Sequence, residues 1–203
     1  MATDQPVLGT DETKPGNDRV LKLVAAVATL ALLGFIVYVI ARPHHTKPAA
    51  YPVTPPATLE IGAPAPSFDL PRLGGGQPVS LSATRGLPTI VNFFASWCRN
   101  CQAELGAFAA LNTRTAGRVA ILGVDSNDSN GAMAQTLLSR AHATYPVGID
   151  ADAKVATSYL LSALPVTYFL DASGRVVHVA FGTQTVKSLS HWAAMLTSKA
   201  GQS

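Results

Sequence analysis

One uncharged apolar run near the N-terminus constrains the organisation of this chain more than any other feature. The nineteen residues from Leu23 to Ala41 read LVAAVATLALLGFIVYVIA and carry no charged side chain. At a rise of about 1.5 Å per residue, a helix of this length nearly matches a hydrocarbon core of roughly 30 Å. A cleaved signal peptide is the alternative, but its apolar region is usually shorter. We therefore predict a single transmembrane anchor over residues 20–42.

The charges around this run indicate its orientation. Three basic residues precede the run and two follow it: Lys14, Arg19, Lys22, Arg42 and Lys47. Because an excess of Lys and Arg marks the cytoplasmic flank, this distribution favours an N-terminus inside the cell. Residues 1–19 would then be a cytoplasmic tail. The remainder of the chain would be held at the cell membrane and face the periplasm or the extracellular side.

The segment after the predicted anchor, residues 43–58, is rich in proline. From His44 to Thr58 it reads HHTKPAAYPVTPPAT. Such a composition favours an extended polyproline conformation of about 3.1 Å per residue. We predict a semi-rigid linker that holds the following domain away from the membrane.

Residues 59–200 have the pattern of one globular α/β domain. Short alternating segments on both sides of Gly74–Gly76 predict an N-terminal β-hairpin. Strands are then predicted at 89–95, 119–124, 146–149, 166–170 and 176–180, and helices at 101–115, 131–142, 151–161 and 186–199. This alternation implies a mixed sheet with helices on both faces. The formal net charge is only +3, and the basic residues are scattered, so nucleic-acid binding is not expected.

The chain has two cysteines, Cys98 and Cys101, three positions apart. A disulfide framework needs more cysteines at wider spacing, and a structural zinc site needs further ligands that the sequence does not supply. We therefore expect no metal site, and we assign the pair to redox chemistry.

The position of the pair supports this assignment. Cys98 follows the predicted strand 89–95 where a helix is about to begin, and the free N–H groups of a helix start stabilise a thiolate. Arg99 adds a positive charge. Cys101 lies about one helical turn later, close enough to form a Cys98–Cys101 disulfide. We predict that Cys98 is the attacking thiol and Cys101 the buried resolving thiol.

Two motifs resemble the thioredoxin superfamily. Residues 92–101, NFFASWCRNC, resemble its strand-to-active-site segment, and residues 164–171, LPVTYFLD, resemble the signature in which a cis-proline faces the cysteines. Within the superfamily the chain is similar to the ResA/TlpA/CcmG (DsbE) group of redoxin or AhpC/TSA-like domains. Three features carry that likeness: IGAPAPSFDL at 61–70, Glu104, and Asn92 in place of a buried Asp.

The resemblance implies a thioredoxin-like fold with an N-terminal β-hairpin extension, preceded here by the single transmembrane helix. It implies a membrane-anchored, extracytoplasmic protein thiol–disulfide oxidoreductase that needs no cofactor besides its redox-active disulfide. The group is associated with cytochrome c maturation. The implied partners are therefore protein disulfides, such as that of apocytochrome c, and a membrane-embedded thiol reductase as electron donor.

The resemblance also assigns site residues. Pro165 is expected to be a cis-proline facing the cysteines, with Leu164 and Val166 beside it as substrate contacts. Trp97 is expected both to lie beneath the site and to face substrate. Glu104 is either a partly buried acid that moves protons to and from a cysteine, or an exposed helix carboxylate.

Three alternatives bear on this assignment. The group usually has a Pro between the cysteines, whereas this chain has Arg99 and Asn100, so an oxidant of secreted proteins stays open. A copper-binding metallochaperone on the same fold tends to have CxxxC and a distant His, which disfavours it here. Peroxidases of the peroxiredoxin type have P-x-x-x-T-x-x-C, where this chain has Val91 and Ala95.

One acidic segment, 125–131, superficially resembles a calcium loop. Its Gly falls one place late, and its twelfth position, Thr136, is not a Glu. We predict a turn and a helix N-cap over this segment.

Overall fold

The computed structural model of the protein describes residues 18–41 and 58–200. The chain divides into two compact units, Met1–Val53 and Thr54–Ser203, each of which is described by itself. Nearly all of the predicted tail and of the predicted proline-rich linker lie outside the described residues.

The described part of the first unit is one helix, α1, over Asp18–Ala41. Its stretch Arg19–Val39 has 21 residues and a mean hydropathy of 2.5, which makes it a candidate membrane span by length and composition. A signal sequence near an N-terminus satisfies the same criteria. The large apolar side chains described along this helix are exposed.

The second unit is built on a five-stranded mixed sheet. A short hairpin, β1 (Asp69–Leu70) and β2 (Val79–Ser80), comes first, and a 3₁₀ turn, Leu81–Thr84, follows it. The sheet strands are β3 (Thr89–Phe94), β4 (Ala120–Ser126), β5 (Val147–Asp150), β6 (Val166–Leu170) and β7 (Val176–Phe181). The helices are α2 (Arg99–Thr115), α3 (Gly131–Arg140), α4 (Lys154–Ser158) and α5 (Val186–Ala200).

The strand order is β5-β4-β3-β6-β7, with β3 at the centre. Strand β3 pairs in parallel with β4 and antiparallel with β6, so both of its edges are occupied and all six of its residues are buried. The continuous apolar sequence of this strand is what such a position requires. The predicted mixed sheet and the predicted thioredoxin-like fold are confirmed.

The sheet separates two apolar cores. On one face, α2, α3 and α5 pack through residues such as Leu105, Leu138 and Leu189. On the other face, the hairpin and the end of α4 pack through Phe68, Val79 and Tyr159. Helices therefore cover both faces, as predicted, and the hairpin completes the cover of the second face.

The segment around the hairpin also pairs with both edges of the sheet. Leu73 N–H donates to Val147 O (2.8 Å), and Ile149 N–H donates to Pro71 O (2.9 Å), along the outer edge of β5. Gly62 N–H donates to Val176 O (2.7 Å) at the start of β7. Since unpaired edge strands invite association with other chains, this extension shields both edges of the sheet.

Two predicted helices, at 151–161 and 101–115, have wrong boundaries. Helix α4 begins at Lys154 rather than 151, because the Asp150 carboxylate accepts hydrogen bonds from Val155 N–H (3.0 Å) and Ala156 N–H (2.9 Å). It ends at Ser158, and Leu160 has a positive φ of 58°. Helix α2 begins two residues earlier than predicted, at Arg99.

The predicted turn over 125–131 is wrong in its first two residues. Strand β4 continues through Asp125 and Ser126, which pair with Ile149 and Asp150 of β5 and are buried. The sequence favoured a turn because these residues are polar, but strand pairing overrides that preference. The predicted N-cap is confirmed at Asn130, whose side chain accepts from Met133 N–H (3.0 Å).

Candidate active site

Cys98 lies at the junction between the central strand and helix α2. The chain leaves β3 at Phe94, and Cys98 N–H donates to Ala95 O (3.1 Å). Cys98 is the N-cap of α2, and its Sγ accepts a hydrogen bond from Cys101 N–H (3.2 Å). The helix start therefore directs a donor at this sulfur, which favours the thiolate form of Cys98 in the reduced protein.

Cys98 and Cys101 are joined by a disulfide, with their Cα atoms 5.2 Å apart. The two sulfurs differ in access. Cys98 keeps 8% of its surface exposed, whereas Cys101 is completely buried. An incoming thiolate can therefore reach Cys98 more readily than Cys101.

Glu104 is a buried carboxyl group one turn beyond Cys101 on α2. Residues three apart lie on the same helix face, which places Glu104 on the side of Cys101. Its Oε1 accepts from Asn92 Nδ2 (2.7 Å), and its Oε2 accepts from Gln184 N–H (2.7 Å). Burial raises the pKa of Glu104 to about 7, although both hydrogen bonds lower it. The predicted burial of Glu104 is therefore confirmed, and its role in proton transfer stays a prediction.

The two donors to Glu104 come from different parts of the chain. Asn92 lies on β3, where the resemblance to the redox group placed an Asn, and its own Oδ1 has no hydrogen-bond partner among the described residues. Gln184 donates through its main chain just after β7. Sequence reasoning missed Gln184, because a main-chain donor has no side-chain signature.

The loop before β6 contains the expected cis-proline. The peptide bond between Leu164 and Pro165 is cis, as predicted. Pro165 O accepts from Gly182 N–H (2.9 Å), and the neighbouring Thr183 hydroxyl donates to Asn100 O (3.1 Å) between the two cysteines. Hydrogen bonds thus connect the proline loop, the end of β7 and the cysteine turn.

Trp97 lies on the surface beside the disulfide rather than beneath it, which corrects the structural half of its predicted role. Its side chain is 59% exposed, and its Nε1–H donates to Asn127 O (3.0 Å). Trp97 and Leu164 border an open groove of about 200 Å³ whose other lining includes Ala153 and Leu161. A mainly apolar groove bordered by Trp97, the residue before Cys98, can receive an extended peptide segment.

Val166 is not brought to this surface. It is the first residue of β6, its side chain is fully buried, and its backbone pairs with Phe93 on one side and Phe181 on the other. In this structure Val166 has neither a side chain nor a free strand edge to offer a substrate. The residues of this loop that border the open surface come before the proline.

The comparison with known protein families bears on the identity of this site. The sequence model described as the AhpC/TSA family matches residues 61–179. The chain belongs to the AhpC/TSA family. Two relatives of this AhpC/TSA-family protein are named for thiol–disulfide chemistry. The thiol:disulfide interchange protein DsbE of Pseudomonas fluorescens biotype C is 32% identical over 149 residues, 73% of this chain and 79% of that protein.

The second relative is the thiol-disulfide oxidoreductase ResA of Bacillus subtilis (strain 168). It is 31% identical over 135 residues, 66% of this chain and 74% of that protein. Among solved structures, a DsbF homologue from Corynebacterium diphtheriae superposes with a TM-score of 0.64 at 22% identity, over 72% of this chain and 96% of that chain. Together with the Cys98–Cys101 disulfide, these relatives identify the AhpC/TSA-family protein as a thiol–disulfide oxidoreductase.

A pair of carboxyl groups, Asp125 and Asp128, also borders the cysteine turn of this AhpC/TSA-family protein. Asp125, at the end of β4, is completely buried, and burial together with the neighbouring Asp128 charge raises its pKa to about 8. Asp128 Oδ2 accepts from Ser96 N–H (2.5 Å), two residues before Cys98. Burial alone would raise the pKa of Asp128, but hydrogen bonds from Ser96 and Asn130 together hold it below its usual value.

Sequence reasoning missed this pair. It treated 125–131 as a turn, in which exposed carboxylates need no explanation. The available signal was the apolar run 119–124 leading directly into Asp125, because a strand that extends by one residue buries the next side chain.

Proposed function

We propose that this protein is a membrane-anchored, extracytoplasmic reductant of protein disulfides, with the disulfide of apocytochrome c as a substrate during cytochrome c maturation. The observation that carries the proposal is the arrangement of the disulfide: a partly exposed Cys98 at a helix start, a fully buried Cys101, and a buried Glu104 one turn beyond Cys101. The mechanism needs no cofactor besides the cysteine pair.

The proposed reaction begins with the reduced pair. The Cys98 thiolate attacks one sulfur of the substrate disulfide, the substrate S–S bond breaks, and the other substrate sulfur leaves as a thiolate that takes a proton from water. Cys98 and the substrate are then joined in a mixed disulfide. The Cys101 N–H that reaches Cys98 Sγ favours the thiolate needed for this step.

In the second step Glu104 is the proposed base. Its carboxylate accepts the proton of the Cys101 thiol, and the Cys101 thiolate attacks Cys98 Sγ. The bond between Cys98 and the substrate breaks, the substrate leaves as a second thiolate, and the Cys98–Cys101 disulfide forms. Two electrons have then passed to the substrate. A carboxyl group whose pKa is about 7 exchanges protons readily at neutral pH, which suits it to this step.

The surface around Cys98 provides the proposed substrate contacts. Trp97 and Leu164 border the apolar groove, and Pro165, which follows Leu164 through the cis peptide bond, is buried. We assign Trp97 and Leu164 to substrate binding and Pro165 to shaping the loop beside the cysteines. The buried side chain of Val166 supports at most an indirect role for that residue.

The proposed location rests on α1. Its 21-residue apolar stretch is long enough to anchor the chain, and the basic residues at 14, 19 and 22 favour an N-terminus inside. The catalytic domain would then work outside the cytoplasm. Continued turnover would require a membrane-embedded thiol reductase as electron donor, as the resemblance to the redox group implies.

The direction of electron flow is tested by the equilibrium reduction potential of the Cys98–Cys101 pair. Thiol alkylation after equilibration of the full chain in graded redox buffers measures it. A value near or below that of thioredoxin, about −270 mV, is the expected result for a reductant. A value near about −120 mV would make the protein an oxidant of secreted proteins and overturn the cytochrome assignment.

The absence of a reversible couple would favour the copper-binding alternative, which a copper titration of the reduced protein would then test. The oxidant is the stronger competitor, because the hydrogen bond from Cys101 N–H to Cys98 Sγ stabilises the reduced form and so raises the potential.

A further inference from the structure

The buried carboxyl group of Asp125 has no role in the reaction described above, and its surroundings are unusual. Neither of its oxygens receives a hydrogen bond from an N–H or O–H donor of the described residues. An ionised carboxylate buried without donors is costly. Among the described residues, the carboxyl group of Asp128 is the polar neighbour that acts on Asp125, and two carboxyl groups can hydrogen-bond only through a shared proton.

The position of that proton follows from the other contacts of Asp128. Asp128 accepts hydrogen bonds from Ser96, through Oδ2, and from Asn130 N–H, through Oδ1 (2.8 Å). These donors stabilise Asp128 as the anion. Asp125, to which no N–H or O–H group of the described residues donates, therefore stays protonated, and its O–H donates a hydrogen bond to Asp128.

Asp128 connects the protonation state of Asp125 to the turn before Cys98 through a hydrogen bond. The hydrogen bond from Ser96 N–H to Asp128 ties the loop between β3 and Cys98 to the loop after β4. A second connection runs beside it, from Trp97 Nε1–H to Asn127 O. Within residues 58–200, these two hydrogen bonds join the chain on the N-terminal side of Cys98 to the same short loop.

We propose that Asp125 is a positioning residue for the exchange reaction. Its protonated carboxyl group holds Asp128 in the hydrogen bond with Ser96 N–H, and loss of that proton releases the turn that carries Trp97 and Cys98. Ionisation would place two carboxylates side by side in a buried site, where their repulsion is strong. Asp128 is the nearer of the two to solvent, so it moves away from Ser96. The exposure of Cys98 then increases with pH.

The other titratable groups on the elements that pack around Asp125 do not release the turn before Cys98. On β5, Asp150 binds Ser126 Oγ (2.9 Å) and the start of α4, on the opposite face of the sheet from Asp125. On α2, Glu104 is held by Asn92 and Gln184. Burial raises the pKa of Tyr145, before β5, so its hydroxyl stays protonated. The remaining charged or titratable groups on α2, α3 and α5 include Arg99, Arg114, Arg140, Lys187 and His191.

The test uses the full chain in detergent micelles with the disulfide intact, so that neither cysteine titrates. Replacing Trp192 by Phe leaves Trp97 as the single tryptophan and removes the ring that stacks on His178. The emission of Trp97 is then followed between about pH 6 and about pH 9.5, where Asp125 titrates and Tyr hydroxyls largely do not. We expect one step with a midpoint near 8.

Asp125→Asn is the decisive variant, because its amide donates to Asp128 at every pH. It is expected to lose the step and to hold the emission of the low-pH form throughout. Glu104→Gln is the matched control, since it removes another buried acid from the same side of the sheet, and the step near pH 8 is expected to stay. A step that persists unchanged in Asp125→Asn overturns the proposal, as does its loss in Glu104→Gln.

Asp128→Asn provides a second variant in case Asp125→Asn does not fold. Without the neighbouring negative charge, Asp125 is expected to titrate at lower pH, so that the step moves below 8 or disappears. An unchanged midpoint overturns the proposal.

The consequence for catalysis rests on the proposed exchange at Cys98. The rate at which dithiothreitol reduces the disulfide, corrected for the thiolate fraction of the reagent, is expected to rise above pH 8 in the parent and to stay level in Asp125→Asn. A fluorescence step without that rise would mean that Asp125 moves the loop without affecting exchange, which would overturn its positioning role in the reaction. Normal exchange without any step would overturn the positioning role and leave the proposed function intact.

Discussion

Asn92 Nδ2 donates a 2.7 Å hydrogen bond to Oε1 of Glu104, while Asn92 Oδ1 has no partner among the described residues. The amide therefore supports the charged form of a carboxyl group whose pKa burial raises to about 7. If the amide rotates by half a turn, Oδ1 can accept the proton of a neutral Glu104. Asn92 can thus satisfy both protonation states of the acid.

Replacing Asn92 by Asp is expected to raise the pKa of Glu104 further above 7. Two carboxyl groups at this distance cannot both ionise, so they would share one proton. Carboxyl ¹³C chemical shifts across a pH series measure the effect. Asn92→Ala is the matched control, since it removes the donor without adding a charge, and it should give a smaller rise. A Glu104 pKa at or below 7 in Asn92→Asp would contradict this account.

Glu104→Gln is expected to slow the second step of exchange by about 10²-fold or more, because general acid–base groups contribute on that scale. The mixed disulfide should then accumulate, and the pH dependence near 7 should disappear. Single-turnover kinetics with a disulfide peptide, quenched with acid, measure both effects. Cys101→Ser should trap the same mixed disulfide completely, and Cys98→Ser should form none. Substantial turnover in Cys98→Ser would rule out the mechanism.

The stability of residues 58–200 is expected to fall as pH rises from about 4.5 to about 8. Burial raises the pKa of Glu104 and Asp125 above their unfolded values, so the folded state binds more protons than the unfolded state in that range. The free energy of unfolding then decreases with pH, by at most about 1.4 kcal/mol per pH unit for each group.

Urea unfolding of the fragment beginning at residue 58, with its disulfide intact, measures this slope at several pH values. Glu104→Gln should flatten it below about pH 7, and Asp125→Asn should flatten it up to about pH 8. A stability that rises over this range would show that neither acid is neutral in the folded state.

Gly148→Ala is expected to destabilise the domain by about 1–3 kcal/mol, the usual scale of an overpacked core. A Cβ at this position would lie 2.8 Å from Cβ of Leu70, which belongs to the hairpin and cannot rotate away. Gly106→Ala is the matched control. Nothing lies within 4 Å of its Cβ position on α2, so it should stabilise the domain by about 0.5–1 kcal/mol. Equal melting temperatures for the two variants would contradict the packing argument.

Particular residues show how far sequence reasoning reached. Strand β3, a helix beginning beside the cysteine pair and the cis-proline were all predictable, because each depends on a short pattern: an apolar run, a CxxC pair after a strand, and a proline signature. Asp125 was misassigned for the same reason. Its polar neighbours predict a turn, whereas its pairing with Ile149 keeps it in β4.

By itself, the sequence determined the apolar helix, the order of strands and helices, and the position of Cys98 and Cys101, since each follows from residues close together in the chain. Only the tertiary structure decided which acids are buried. Asn92 and Gln184 reach Glu104 across 12 and 80 residues, and Ser96 meets Asp128 across 32. Burial depends on what distant segments pack around a side chain. The acids that hold protons near neutral pH therefore became identifiable only once those segments were in place.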